Sequence, residues 1–359
     1  MQISIQKRSV EDLKTKPEFN SNLGFGKFFT DHMFIMDYRN NKWINPRIVP
    51  HGVLSLDPSA MCFHYGQEIF EGMKVFRGTD ESVIFFRSMD NFRRMNNSAA
   101  RMEMPEVDID VVTEGLRELV KLDKSWIPNQ KGYSLYIRPT MIATEGVLGV
   151  RPSDEYMFFI IACPVASFFP EQQGKLKPVK IFVSTQYVRA APGGTGSAKV
   201  AGNYAASLKA QVQARKFNCQ QVMWLDGIEH RYVEEVGTMN IFAVFNDTLV
   251  TSPLTGTILP GITRDSVMVL AKHLGIEVVE RRFTIEELLS GMKDKTVSEV
   301  FGSGTAAIIS PVSSMIYKEQ SHVVGNGETG PVAEKIYNAL LDIQYGQAED
   351  PFGWTTVLK

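Results

Sequence analysis

The sequence predicts a two-domain α+β protein, and three observations carry that prediction. The chain has 359 residues, about twice the length of an ordinary domain. Hydrophobic residues make up 44% of it and charged residues 22%, close to a globular average, which excludes disordered and fibrous classes. Short β-branched and aromatic runs recur along the chain with helical segments interspersed irregularly. That mixture is the pattern of α+β rather than regular βαβ architecture.

Taken in order, residues 90–101 and 111–122 carry helical periodicity. The second follows the acidic run PEVDID, and negative charge suits a first helical turn. Residues 132–143 (GYSLYIRPTMIA) and 155–169 (EYMFFIIACPVASFF) read as strands. The polar stretch PEQQGKLKP, with proline at both ends, is a connector. We therefore expect a small N-terminal α+β domain over 1–167, a connector over 168–178 and a larger C-terminal α+β domain over 179–359. In the second half, strands are expected at 179–189, 221–225, 231–235, 241–245, 248–251 and 296–301. Helices are expected at 204–216, with Ala205, Leu208 and Val212 on one face, and at 263–274, 286–292 and 331–345.

Composition removes several functions. Lys and Arg number 38 against 40 Asp and Glu, a net charge of −2, unlike the basic balance of nucleic-acid binders. Cys62, Cys163 and Cys219 are odd in number and far apart, so no disulfide framework or zinc knuckle is expected. The six histidines show no ligand spacing, and no metal is expected. The N-terminus lacks an apolar signal core, and the longest apolar stretch, 157–169, is too short to span a bilayer. A cytoplasmic protein without membrane contact is the expectation.

Four segments could carry chemistry. Ala191-Pro-Gly-Gly-Thr-Gly-Ser-Ala-Lys-Val-Ala-Gly-Asn-Tyr204 surrounds Lys199, the only charged residue between Arg189 and Lys209, with small residues. Such a lysine suits a Schiff-base amine or a general base; a flexible loop with a solvated lysine is the alternative. Neither a Walker A loop nor a dinucleotide fingerprint fits the segment. In Tyr232-Val-Glu-Glu-Val-Gly-Thr-Met-Asn-Ile-Phe242, Glu234 and Glu235 point to opposite faces of a strand, so one can meet a pocket while the other meets water. In Ile258-Leu-Pro-Gly-Ile-Thr-Arg-Asp-Ser266, a turn enters a helix whose first amides, on Ile262 and Thr263, suit a phosphate; ordinary helix entry is the alternative. Val300-Phe-Gly-Ser-Gly-Thr-Ala306 ends a strand in small residues with a hydroxyl and is also compatible with phosphate.

Together these segments resemble the fold-type IV pyridoxal-phosphate enzymes, with a D-amino-acid aminotransferase-like fold, and most closely the branched-chain-amino-acid aminotransferases. The class IV pattern reads Glu235-x-Gly237-x-x-Asn240-Ile-Phe242, Leu249-x-Thr251 and Leu259-x-Gly261-Ile262-x-Arg264. Phe70-Glu-Gly-Met-Lys74, Leu135-Tyr-Ile-Arg-Pro139, Phe301-Gly-Ser-Gly-Thr305 and Ile343-Gln-Tyr-Gly346 extend the likeness.

The resemblance implies a homodimeric transaminase that moves an amino group between L-leucine, L-isoleucine or L-valine and 2-oxoglutarate, with pyridoxal 5'-phosphate bound as a Schiff base on Lys199. It implies that Lys199 also shuttles the substrate proton and that Glu235 faces the pyridine nitrogen. Tyr204 would donate to the phenolic oxygen, Arg189 would lie near the cofactor, and Thr238 would also bind it. Arg94, chosen over Arg93 by the register of Ser98-Ala99, would bind the phosphate with the amides of Ile262 and Thr263 and with Thr305. Phe70, Tyr136 and Arg138 would line the substrate pocket, with Arg138 meeting the γ-carboxylate of glutamate. Thr305 and Ala306 would meet the α-carboxylate, and Tyr65, Leu148 and Val150 would come from the partner subunit. D-amino-acid aminotransferases and aminodeoxychorismate lyases share the fold and are the alternatives in mechanism; a non-catalytic cofactor- or anion-binding protein is the alternative in class. Two departures stand out. The Cys-x-x-Cys of animal members is Ala307-Ile-Ile-Ser310 here, and Phe168 replaces a common tyrosine.

Overall fold

The computed structural model describes residues 1–19, 23–166 and 176–358. Phe168 and residues 168–175 of the expected connector lie outside the described residues. The chain sorts into two units. The first comprises Met1–Phe168, Ala198–Gly202 and Asp342–Lys359; the second comprises Phe169–Ser197 and Asn203–Leu341.

The first unit is built on one sheet. Its strands lie in the order Ser4–Ile5, Lys42–Pro50, His32–Arg39, Tyr156–Val165, Ser134–Ala143, Met73–Arg77, Val83–Phe86 and Thr355–Val357, with Glu68–Phe70 also on Ser134–Ala143. The central pair is antiparallel from Ser134 opposite Val165 to Ala143 opposite Tyr156. Alternation sends Leu135, Ile137 and Met141 to one face, where they join the core with Phe158 and Ile160. Helices Ser88–Arg101 and Ile109–Leu122 supply the rest of that core through Phe92, Met95, Ala99, Val112, Leu116 and Leu119. The Asp108 side chain starts the second helix by accepting from the amides of Asp110 and Val111 at 3.0 and 3.3 Å.

Tyr136, Arg138, Thr140 and Ile142 point to the opposite face of the sheet. The register adds Lys74 opposite Tyr136, Phe70 opposite Thr140 and Glu68 opposite Ile142. Pro139 breaks the ladder between the strands Glu68–Phe70 and Met73–Arg77. Its carbonyl accepts from the Glu71 amide at 2.8 Å, but proline offers no N–H on that same side. The chain is therefore released from the sheet at Glu71 and Gly72.

In the second unit six strands close on themselves. Val233–Val236 pairs with Gln221–Leu225, then follow Val179–Val183, Ile308–Tyr317, Val297–Gly304 and Met239–Phe245, which pairs back to Val233–Val236. Val179–Val183 is parallel to both neighbours. Ile181, Val183, Met223, Val236, Met239, Ile241, Val300 and Val312 pack together in its core. Helix Ile262–His273 follows the loop after Thr248–Thr251, and helix Ile285–Asp294 packs through Ile285, Leu288 and Met292.

The α+β expectation holds, with two local corrections. The strand expected over 179–189 ends at Val183. The helix expected over 204–216 is two helices, Ala201–Ala206 and Leu208–Lys216. Its packing face also differs: Ala210 and Ala214 are buried against Trp224 and Phe182, whereas Ala205, Leu208 and Val212 are exposed. Two alanines let the helix approach bulky rings closely, and that outweighs the larger side chains on its other face.

Gly115 marks the tightest helix–sheet approach, since a Cβ there would come within 2.5 Å of the Phe34 ring. Gly115→Ala should destabilise the protein by about 1–3 kcal/mol through overpacking, exceeding the ~1 kcal/mol that alanine gains in helix propensity. Urea denaturation of both proteins measures this; an unchanged midpoint would show that Phe34 yields freely.

Candidate active site

Two clusters of candidate side chains are present, one in each unit. In the first unit, Lys199 lies in the short stretch Ala198–Gly202. Its backbone is fixed on both sides: the Lys199 amide donates to Ser98 Oγ at 2.9 Å, and its carbonyl accepts from the Phe70 amide at 3.1 Å. Val200 forms a bridge to Ile69. Nζ lies 4.8 Å from the Phe70 ring centroid. The Arg138 guanidinium stacks on the same ring at 4.7 Å and donates to the Tyr136 hydroxyl at 3.2 Å. Arg138 Nε is buried without a hydrogen-bond partner. Phe70, Tyr136, Arg138 and Lys199 thus form one group.

Arg94 is buried on helix Ser88–Arg101, and a fully buried acid holds it. Its Nε donates to Glu71 Oε1 at 2.7 Å and its Nη2 to Glu71 Oε2 at 2.9 Å. Burial would push the Glu71 carboxyl up, but the Arg94 charge and hydrogen bond, then the Lys199 charge and the Asn91 amide, hold it below the usual range. The sequence reading assigned Glu71 no role, although its position inside Phe-Glu-Gly was the available signal.

In the second unit the hairpin from Val233–Val236 to Met239–Phe245 sets the geometry. Gly237 takes φ 59 at the first turn position, which a glycine does without strain, and Glu235 comes to lie opposite Asn240. Glu235 Oε2 pairs with Arg189 Nε at 2.8 Å, and its Oε1 accepts from the Leu259 amide at 2.8 Å. Asn240 Nδ2 donates to the Leu259 carbonyl at 2.9 Å. The two side chains therefore hold one residue, Leu259, by its N–H and its carbonyl, just before helix Ile262–His273 begins. Arg264 fixes that helix start to Ser252 O and Glu280. Gly261, the residue before the helix, makes no side-chain cap, and the amides of Ile262 and Thr263 belong to the first turn, the part of a helix whose dipole favours a phosphate.

Arg189 also donates to the carbonyls of Thr257 and Gly196. Tyr204 is half-buried on helix Ala201–Ala206, and Thr238 is exposed in the Gly237 turn. Thr305 and Ala306 sit in the turn between Val297–Gly304 and Ile308–Tyr317, both half-buried. Ile308 closes that turn at φ 64, a strained conformation for a β-branched residue. Tyr65, Leu148 and Val150 belong to the first unit and are 39%, 66% and 88% exposed.

One expectation is corrected. Glu234 does not meet water; it is buried, and the Thr257 hydroxyl donates to it at 2.6 Å. Burial raises its carboxyl above the usual range, partly offset by that hydroxyl. Thr257 lies 23 residues away, so nothing local could reveal the contact. Among the described residues no His, Cys, Asp and Glu group could hold a metal, and no helix is long and apolar enough to cross a membrane.

Comparison with known proteins adds to this geometry. The profile of the family described as amino-transferase class IV matches residues 68–315. The chain is 52% identical over 344 residues to branched-chain-amino-acid aminotransferase 2 of Bacillus subtilis (strain 168), covering 96% of this chain and 94% of that protein. It is 50% identical over 349 residues to a probable branched-chain-amino-acid aminotransferase of Staphylococcus aureus (strain MRSA252), covering 97% and 96%. The branched-chain amino acid aminotransferase structure from Escherichia coli superposes with a TM-score of 0.75 at 30% identity, over 92% of this chain and 99% of that one. The branched-chain aminotransferase of the thermophilic archaeon Thermoproteus uzoniensis, solved with norvaline, gives 0.76 at 25% identity, over 91% and 100%.

Lys74 shares the Tyr136 face and is 7% exposed. Burial lowers its ammonium from 10.5 to about 7. Between those values the unfolded chain holds a proton that the folded protein has lost, so this stabilisation is full above the unfolded pKa and fades as pH falls towards about 7. Lys74→Met should therefore flatten the rise in melting temperature between about pH 7 and 10. A variant with the wild-type slope would assign that rise to other groups.

Proposed function

The chain belongs to the class IV aminotransferases, and on that premise we propose that it is a branched-chain-amino-acid transaminase dependent on pyridoxal 5'-phosphate. The observation that carries the reading is Arg138: a half-buried guanidinium stacked on Phe70, with a buried Nε that has no partner, in the same group as the Lys199 amine. The pocket face offers rings for an aliphatic side chain, at about 0.8 kcal/mol per buried CH₂, and a cation for the γ-carboxylate of glutamate. One site thus receives both kinds of substrate.

The residues present fit the cofactor. Lys199 offers the amine, Arg94 and the first turn of helix Ile262–His273 offer the positive charge and helix dipole that suit a phosphate, and Glu235, supported by Arg189 and the Leu259 amide, offers a carboxylate. When bound, pyridoxal phosphate supplies the electron sink that acidifies the substrate Cα–H. Lys199 Nζ would take that proton and give it back, serving both half-reactions as base and acid. Glu235, its charge supported by Arg189, would face the pyridine nitrogen and favour its protonated form. Tyr204 would donate to the phenolic oxygen, with Thr238 near the cofactor. Arg94, the Ile262 and Thr263 amides and Thr305 would hold the phosphate, and the Thr305–Ala306 turn would meet the α-carboxylate.

We read the molecule as a cytoplasmic homodimer of two-domain subunits. The exposed Tyr65, Leu148 and Val150 complete the pocket of the partner subunit. The near-neutral charge gives no support for a nucleic-acid partner.

Two experiments test the chemistry. L-leucine should change the absorption spectrum of the cofactor-loaded protein and 2-oxoglutarate should restore it; a response to D-amino acids alone would move the protein to a neighbouring activity. Lys199→Ala should lose turnover, and more than about one per cent retained activity would contradict its role as base, normally worth roughly 10²–10⁴-fold. For the dimer, refolding Lys199→Ala together with Leu148→Asp should recover activity that neither has alone, because the mixed dimer holds one site with both a native lysine and a native loop. Absence of complementation would place the loop outside the partner's pocket.

A further inference from the structure

Glu71 is the acid most completely enclosed around the first-unit cluster, at 0% exposure. It leaves the sheet where Pro139 interrupts the ladder, and donors from helix Ser88–Arg101 and from Gly72 converge on its carboxylate. Besides both Arg94 nitrogens, Oε2 accepts from Asn91 Nδ2 at 2.9 Å and from the Gly72 amide at 3.1 Å. A guanidinium is planar and rigid, so fixing Nε and Nη2 on one carboxylate fixes the whole fork, including the direction of Nη1. A single charge would only attract Arg94; this arrangement aims it.

The same elements set Lys199. One turn beyond Arg94, the Ser98 hydroxyl donates to the Arg94 carbonyl at 3.1 Å and accepts the Lys199 amide at 2.9 Å. The residue before Glu71, Phe70, donates its amide to the Lys199 carbonyl at 3.1 Å. The Arg94 side chain and the Lys199 backbone are therefore referenced to the same two short segments, Phe70–Gly72 and Arg94–Ser98. A buried ion pair contributes little net stability against an apolar replacement of equal volume, and orientation is what it adds.

We propose that Glu71 is a positioning residue for the cofactor phosphate, acting by holding the Arg94 guanidinium in one orientation. This rests on the reading that Arg94 binds that phosphate. Glu71 itself takes no part in proton transfer.

The test compares dissociation constants for pyridoxal phosphate and for pyridoxal, which lacks the phosphate, in the wild type, Glu71→Gln, Arg94→Ala and the double variant. Glu71→Gln should reduce the preference for the phosphorylated form by about tenfold or more, the scale of a hydrogen bond to a charged group, while pyridoxal affinity stays unchanged. The double variant should match Arg94→Ala, since an arginine that is absent cannot be aimed. Equal weakening of both ligands by Glu71→Gln, or multiplying losses in the double variant, would overturn the proposal and leave Glu71 a structural residue. If Arg94→Ala itself leaves the preference intact, the reading of Arg94 fails and the proposal with it. Should Glu71→Gln not fold, Glu71→Asp keeps the charge one methylene short and must show a smaller loss of the same preference; wild-type preference there would also overturn the proposal.

Discussion

A carboxylate withdrawn from water must be paired, and the second unit is organised around that requirement at Glu235. Arg189 answers one oxygen and the Leu259 amide the other. Asn240, directly across the hairpin, takes the carbonyl of the same Leu259. Three stretches distant in sequence are thereby tied to one carboxyl group, and helix Ile262–His273 must start where that tie ends. The class IV spacing from Glu235 to Arg264 describes this arrangement: a hairpin, a clamped residue, and a helix end anchored by an arginine to Ser252 and Glu280.

The first unit solves a related problem with a different device. A proline in a central strand disrupts pairing, and here it releases Glu71 towards the helix side, where Arg94 is waiting in an apolar face. Pairing is again complete: each oxygen of Glu71 has donors, and each of the two arginine nitrogens has an acceptor. On the other face of the same sheet, Phe70, Tyr136 and Arg138 are kept together by alternation along Ser134–Ala143 and by the Arg138 guanidinium, which lies over both rings. The helix-side clamp and the aromatic face meet at Phe70–Gly72.

Much of this was legible in the sequence because it is local. The Glu235, Asn240 and Gly261 positions lie in one stretch, and their spacing follows from strand and turn geometry. Tyr136 and Arg138 share a face by simple alternation, and Lys199 stands out among small residues. What escaped reading depends on distant contacts. One of Glu234 and Glu235 was expected to meet water, yet both are buried, and Glu234 accepts from the distant Thr257 hydroxyl. Glu71 looked like one letter of a motif, and its meaning requires Arg94 on the following helix. Leu208 and Val212 carried the larger apolar side chains, yet Trp224 and Phe182 admit only the alanines of that helix. Hydrophobicity ranks faces by area, whereas packing selects them by shape.

Neither unit is a continuous piece of chain. The first needs the lysine stretch Ala198–Gly202 and also the strand Thr355–Val357, which pairs with Val83–Phe86 at the sheet edge. On a ribosome the chain emerges from its N-terminus, so the first sheet stays one strand short until residues 355–357 have followed the whole second unit out. Until then the edge of Val83–Phe86 presents unpaired backbone groups, the feature that invites wrong pairing between chains. A strand made long after the sheet it joins closes the first unit begun, and that order places the hazard of misassembly in the nascent chain.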